Sequence, residues 1–261
     1  NPLVAGQGAA RLRAAGIEVV AGPLRAAARE LNRGFLSRLE RGRPWVTVKT
    51  GMSLDGRTAL ANGRSQWITS AAARADVQRL RARSCAVLTG IGTVLADDPS
   101  LTVRDPRYDL GGRPPARVVL DSTLALPPTA RLFADPAPIL VFTASADGAR
   151  RAALEAAGAR LLDVPAAAGG VELGAVLARL AERQVNEVLV ESGARLAGAL
   201  MRAGFVDELV CYVAPRVLGA GARGAFAWPD LERLADAPGF EFVDVRRIGS
   251  DLRLLARPVP A

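Results

Sequence analysis

Strand-like and helix-like segments alternate through most of this chain, and that rhythm limits what it can fold into. Short β-type runs stand at 45–49, 86–89, 118–121, 139–142, 160–163 and 187–190. Helix-period segments follow at 70–83, 90–96, 147–157, 172–183 and 195–203. Such alternation predicts an α/β fold with a mostly parallel sheet covered by helices on both faces. The end of the chain breaks the rhythm. A strand at 208–214 leads into the Gly-rich stretch 218–224, and strands at 240–248 and 252–256 are separated only by a short turn. That pattern predicts an antiparallel C-terminal strand pair closing a mixed sheet.

Residues 1–41 read as a separate unit, with a main domain over 42–261. A short helix is expected at 9–15 and a strand at 17–20. A further helix opened by Pro23 would carry Leu24, Ala28, Leu31 and Phe35 on one face. The unit is too small to hide that face alone. It reads as the end of a preceding domain or as a linker packed on the main body.

The chain has 261 residues, half of them hydrophobic, which is enough for a sizeable core. Its net charge of +8 reads either as a solvated, Arg-rich surface or as attraction for phosphorylated ligands. The arginines are dispersed and no nucleic-acid module is visible, so nucleic acid is not an expected partner. The two cysteines, Cys85 and Cys211, read as buried thiols of a cytoplasmic protein. No stretch is long and apolar enough for a membrane span.

Two polar, Gly-containing segments stand where strands give way to helices, the place where α/β sheets bind ligands. One starts at Lys49 and runs through Gly51, Asp55 and Gly56, with Ser65 and Trp67 beyond it. The other runs from Glu191 through Gly193 to Gly198. Asp55-Gly56 is either a plain turn or a ligand-fixing group. Trp67 could stack on a ring or pack in a satellite core. Ser65 could bond a ligand or shape a local turn. Arg81 is either part of a solvated helix end or an inward phosphate grip. Thr93 and Asp97 are four apart and share one helix face, and Leu101 and Arg104 follow just after Pro99. Gly193 and Gly198 at a helix start could admit a phosphate, although the segment is not a GxGxxG fingerprint. Glu191 could hold hydroxyls or cap a loop. The chain contains no histidine, which excludes a Ser–His–acid triad and a zinc-deaminase site within it. Hydride transfer needs neither.

The stretches 49–58 (KTGMSLDGRT), 65–70 (SQWITS), 76–81 (DVQRLR), 93–104 (TVLADDPSLTVR), 190–200 (VESGARLAGAL) and 207–219 (DELVCYVAPRVLG) carry a family likeness. The chain resembles the reductase domain of the bifunctional riboflavin biosynthesis protein, a diaminohydroxyphosphoribosylaminopyrimidine deaminase and 5-amino-6-(5-phosphoribosylamino)uracil reductase. Residues 1–35 resemble the tail of its deaminase domain, whose zinc site would lie upstream of Asn1. The resemblance implies a fold like dihydrofolate reductase, a cytoplasmic homodimer, NADPH as cofactor and a phosphorylated pyrimidine ribosylamine as substrate. No metal is implied in this chain. Hydride would go to C1′ of the sugar. Gly51, Trp67, Thr93, Asp97 and Ser122 would contact the cofactor. Gly193, Ala194, Arg195, Leu196, Ala197, Gly198 and Ala199 would cradle its phosphates. Ser65, Arg81, Leu101, Arg104 and Glu191 would bind substrate, with Arg81 and Arg104 on the sugar phosphate. Lys49 and Asp97 would give polar help near the hydride site. A yeast-type reductase acting before deamination, or a non-catalytic nucleotide-binding protein, is the alternative.

Overall fold

Val46, Val48, Val87, Leu88, Val118, Val119, Val141 and Phe142 are all essentially buried. Neighbours in sequence point to opposite faces, so these strands must be covered on both sides. The computed structural model describes residues 4–259. Its strands are β1 (Trp45–Ser53), β2 (Arg57–Ala59), β3 (Ala86–Gly90), β4 (Ala116–Leu120), β5 (Ile139–Thr143), β6 (Ala159–Asp163), β7 (Ala166–Ala167), β8 (Gly170–Val171), β9 (Glu187–Glu191), β10 (Glu208–Ala214), β11 (Arg223–Gly224), β12 (Phe240–Ile248) and β13 (Asp251–Pro258). Its α-helices are α1 (Gln7–Ala14), α2 (Arg25–Leu31), α3 (Arg33–Arg41), α4 (Ala71–Ala82), α5 (Ile91–Asp97), α6 (Gly148–Ala156), α7 (Leu173–Glu182) and α8 (Ala194–Arg202).

Nine strands form one sheet in the order β12-β13-β10-β1-β9-β3-β4-β5-β6. The pairings from β10 through β6 are parallel. Those of β13 with β10 and β12 are antiparallel, the latter as the short turn between β12 and β13 requires. On one face, Val176, Leu177 and Leu180 of α7 and Ala197 and Leu200 of α8 pack over Val46, Val48, Val118 and Val188. On the other face, Leu154 of α6 and Val94 of α5 cover Val87, Val119 and Val141. There Ala73, Val77 and Leu80 of α4 also cover Leu189, Val210 and Tyr212. The mixed, mostly parallel sheet with helices on both faces and an antiparallel end is therefore the fold expected from the sequence.

Local chemistry sets the helix starts. Ser70 accepts from the Ala73 amide at 3.2 Å and starts α4, and Asp147 accepts from the Arg150 amide at 3.0 Å and starts α6. By contrast, α8 begins at Gly193 with no side-chain cap. No helix among the described residues is long and apolar enough to cross a membrane.

The N-terminal region departs from expectation. Residues 17–20 form no strand: three of the four are exposed, and among the described residues no sheet edge pairs with them. The single helix after Pro23 is two helices, broken at Asn32. Leu24 and Leu31, placed on a shared buried face by their spacing, are 81% and 79% exposed. It is α3 that packs on the sheet, through buried Arg33, Gly34 and Ser37. Gly34 is needed there: an added Cβ would meet the Asn186 carbonyl oxygen at 2.8 Å. Cys211 is buried, but Cys85 just ahead of β3 is exposed, which corrects its reading as a core thiol. Both are free. Asn1, Pro2 and Leu3 of the family-like N-terminal stretch lie outside the described residues.

Candidate active site

Lys49 and Glu191 are register partners across the parallel pair β1 and β9. Equal phase along neighbouring strands puts both side chains on the same face, Glu191 at the C-terminal end of β9 and Lys49 midway along the longer β1. The Lys49 Nζ lies 3.8 Å from Glu191 Oε2. Arg81, from the last turn of α4, meets Glu191 bidentately. Its Nε donates to Oε1 at 2.6 Å and its Nη2 to Oε2 at 3.1 Å. Its Nη1 donates to the Thr102 carbonyl at 2.8 Å. The side chains of Arg81 and Glu191 are only 10% and 12% exposed. Burial alone would raise the Glu191 carboxyl. The charges of Arg81 and Lys49, the Arg81 hydrogen bonds and the Arg104 charge outweigh it and hold the group below the usual carboxylate range. Burial works the other way on Arg81, and Glu191 overcomes it, so the guanidinium is held more firmly protonated. The site thus contains an anion that stays ionised, with an ammonium beside it.

The two arginines stand in different surroundings. Arg81 is inward-pointing, but its fork is committed to Glu191 and Thr102; it orients Glu191 and leaves only its remaining N–H groups for a ligand. Arg104 is exposed, and its amide donates to Gln78 Oε1 at 2.8 Å, which ties its loop to α4. Gln78, the Thr102 carbonyl and the hydroxyls of Thr89 and Ser192 were not found by sequence reasoning. Gln78 was accessible to it in principle, because it lies three residues before Arg81 on the same helix face.

The second part of the site is the gap between α5 and α8. Thr93 Oγ1 accepts from the Gly193 amide at 3.2 Å. A Cβ added at Gly193 would meet nothing within 4 Å, so the approach to this helix start is open. The buried hydroxyls of Thr89 and Ser192, at the C-terminal ends of the neighbouring strands, have no hydrogen-bond partner among the described residues. Asp97 shares the Thr93 face and is exposed, yet enough protein surrounds its carboxyl to push it above its ordinary value. The residues expected to cradle phosphates, 193–199, differ in exposure along α8. Gly193 and Arg195 are exposed and Ala194 is half-buried, whereas Ala197 and Gly198 are buried. Gly198 is small because the Ala227 backbone lies against it. Leu196 packs on the core, and Ala199 is half-buried.

The remaining expected residues lie around these two parts. Ser122 is half-buried just beyond β4. Leu101 is 2% exposed and packs with Val94, at φ +53°, so only its backbone could face a ligand. Ser65 is half-buried and Trp67 is 61% exposed, with the Arg74 guanidinium 4.4 Å from the Trp67 ring centre. Gly51 lies against Thr69, whose methyl would sit 3.2 Å from an added Cβ. Asp55 is a loop clasp. Its carboxylate accepts from Ser53 Oγ at 2.5 Å and from the Gly219 amide at 2.8 Å. The Ser53 hydroxyl bond and the Leu218 and Gly219 amides lower its pKa to about 2. Among the described residues there is no cluster of three or more His, Cys, Asp or Glu able to hold a metal.

The family model described as the RibD C-terminal domain matches residues 44–254. The chain belongs to this family. It is 44% identical over 265 residues to the riboflavin biosynthesis protein RibD of Escherichia coli (strain K12), covering 97% of this chain and 71% of that protein. Among solved structures, Acinetobacter baumannii RibD (form 1) aligns with a TM-score of 0.90 at 41% identity, over 100% of this chain and 70% of that one. The Thermotoga maritima diaminohydroxyphosphoribosylaminopyrimidine deaminase/5-amino-6-(5-phosphoribosylamino)uracil reductase aligns with a TM-score of 0.82 at 30% identity, over 99% of this chain and 69% of that one.

Proposed function

We propose that this chain is the reductase of riboflavin biosynthesis that converts 5-amino-6-(5-phosphoribosylamino)uracil to 5-amino-6-(5-phosphoribitylamino)uracil with NADPH. Membership of the RibD C-terminal domain family supports this reading. The observation that carries it is the Lys49–Glu191–Arg81 cluster, set beside an uncapped helix start at the C-terminal end of β9. A pyridine nucleotide fits that helix start. Among the described residues the first-turn amides of α8 carry no side-chain cap and the Ser192 hydroxyl has no partner, and Gly193 leaves the approach open. When bound, NADPH supplies a hydride for C1′ of the ring-opened sugar.

In this reading the chain's own residues do the rest. Lys49 holds a proton beside the reacting C1′–N bond and delivers it to the nitrogen. Glu191, kept anionic, accepts hydrogen bonds from the sugar hydroxyls and fixes the sugar's orientation. Arg81 keeps Glu191 in place. Arg104, exposed at the rim, meets the sugar phosphate. Thr93 braces the α8 start, and Asp97 lies on the cofactor side. Residues 1–41 are the tail of a deaminase domain in this proposal, and the enzyme works as a cytoplasmic homodimer.

The test is NADPH oxidation, followed by its near-ultraviolet absorbance, with three compounds in parallel: the deaminated uracil, its diamino pyrimidinone precursor and dihydrofolate. Turnover confined to the uracil is expected. Turnover of the precursor instead would replace the proposed substrate, and no turnover of any despite NADPH binding would remove the enzymatic reading.

A further inference from the structure

If a dinucleotide has its reactive end at Lys49 and Glu191 and its phosphates at α8, the sheet order fixes the direction of the rest. The neighbours of β9 on the side away from β1 are β3, then β4, then β5. Each step is about 4.8 Å, so the loop after β4 lies on the order of 10 Å from the end of β9, within reach of an adenosine.

Three observations meet at that loop. First, the carboxylate that could select a ribose diol is turned away. Asp121, directly after β4, is fully buried, and its oxygens accept from the Leu126 amide at 2.8 Å and the Thr123 amide at 3.3 Å. An acid at this kind of strand end ordinarily bonds the ribose 2′-hydroxyl and disfavours a phosphate there. Second, an arginine reaches over from the next helix. Arg150, in the first turn of α6, donates from Nη1 to the Thr123 carbonyl at 3.0 Å, one residue beyond Ser122. Its side chain is 56% exposed; Asp147 lies 3.3 Å from Nε, and no hydrogen bond is recorded for Nη2 among the described residues. Neighbouring Arg151 is unlike it, being paired with Asp163 at 2.7 Å and bonded to the Ser145 carbonyl. Third, a groove of about 420 Å³ opens between this loop and α6, lined by Leu124, Leu126, Pro127, Pro128, Arg150 and Ala153 among others. Among its lining side chains Arg150 alone is polar.

We propose that Arg150 is the residue that reads the adenosine 2′-phosphate, with the Leu124–Pro128 groove holding the adenosine and the Ser122 hydroxyl beside it. The proposal rests on the reductase reading above and makes the chain's choice of NADPH over NADH a property of one guanidinium. Its Nη2 edge faces the ligand while Nη1 remains on the Thr123 carbonyl. The inward turn of Asp121 removes its carboxylate from the site, and Asp147 engages the Nε edge and leaves Nη2 to the ligand.

Binding titrations test this without turnover. The full chain is titrated by calorimetry with NADPH, NADH, adenosine 2′,5′-bisphosphate and ADP. The wild-type chain should prefer the 2′-phosphorylated member of each pair by about tenfold or more, as one hydrogen-bonded charge contact supplies. In Arg150→Ala both preferences should collapse toward unity, while Arg151→Ala should retain them. A thermal melt of each variant checks that it is folded. An Arg150→Ala chain that keeps the wild-type preference overturns the inference. So does a wild-type chain that binds both dinucleotides equally, and in either case the reductase reading survives. A wild-type chain that binds none of the four ligands overturns both.

Discussion

Two buried ion-pair clusters lie at opposite ends of the central strands, and they differ in how fully they are satisfied. At the N-terminal end of β10, Glu208 takes Arg33 at 2.7 Å and Arg257 at 3.2 Å, with Thr47 nearby. Next to it, Asp207 takes Arg41 and Arg43, each at 2.7 Å, and the Val46 amide at 2.8 Å. The guanidinium of Arg33 also lies 5.0 Å from the Trp45 ring centre. Every carboxylate oxygen there is occupied, and the result is a staple that holds α3 to the sheet. At the C-terminal end, Glu191 is held by Arg81, but Lys49 stands 3.8 Å away and makes no hydrogen bond among the described residues. The same residue chemistry yields structure where the carboxylates are saturated, even though Arg257 Nε and Trp45 Nε1 there have no hydrogen-bond partner among the described residues. Where donors and acceptors are left over beside an open helix start, it leaves room for a substrate.

The largest effect should come from Glu191→Ala. It strands Arg81 without its partner, which costs about 3–5 kcal/mol of stability, and it also abolishes turnover. Urea melts and the NADPH assay read the two losses separately. Glu208→Ala should cost a similar amount, about 3–5 kcal/mol, by the same physics. Its turnover per folded molecule should stay unchanged, and a loss of turnover there would erase the contrast between the two ends.

Gly198→Ala should cost less, about 1–3 kcal/mol, because the Ala227 backbone must move to admit the methyl. A melt unchanged by this substitution would return Gly198 to a ligand role. The smallest effect concerns Asp55. Its pKa falls from 3.8 unfolded to about 2 folded. A depressed carboxylate stabilises the fold fully above its unfolded pKa, and the contribution fades as pH falls through the folded one. The melting difference between wild type and Asp55→Asn should therefore be constant at neutral pH, shrink below about pH 4 and vanish near pH 2. A difference that persists at pH 2 would mean the clasp works without its charge.

Local signals were the most legible part of this chain. The strand ends that present Lys49 and Glu191 followed from apolar runs giving way to polar, Gly-containing segments, and the antiparallel end followed from a short turn. Contacts between distant segments were not legible. Arg81 and Glu191 are 110 residues apart, so a basic helix end read equally well as solvated or as a phosphate grip. The Asp55 clasp depends on the amides of Leu218 and Gly219, and a backbone donor carries no residue-type signal. Gly198 looked like a phosphate glycine because sequence shows only that a side chain is missing, not what fills the space. The strand expected at 17–20 failed because β propensity needs a neighbouring edge to act on.

Stopped-flow reduction of 5-amino-6-(5-phosphoribosylamino)uracil by the Lys49→Met chain, preloaded with NADPH, bears most directly on the central claim. If the unsaturated cluster supplies the proton, this variant binds NADPH as the wild type does and melts within about 1 kcal/mol of it, but its hydride-transfer rate falls by about 10²–10⁴-fold. A wild-type rate in the Lys49→Met chain would contradict the account.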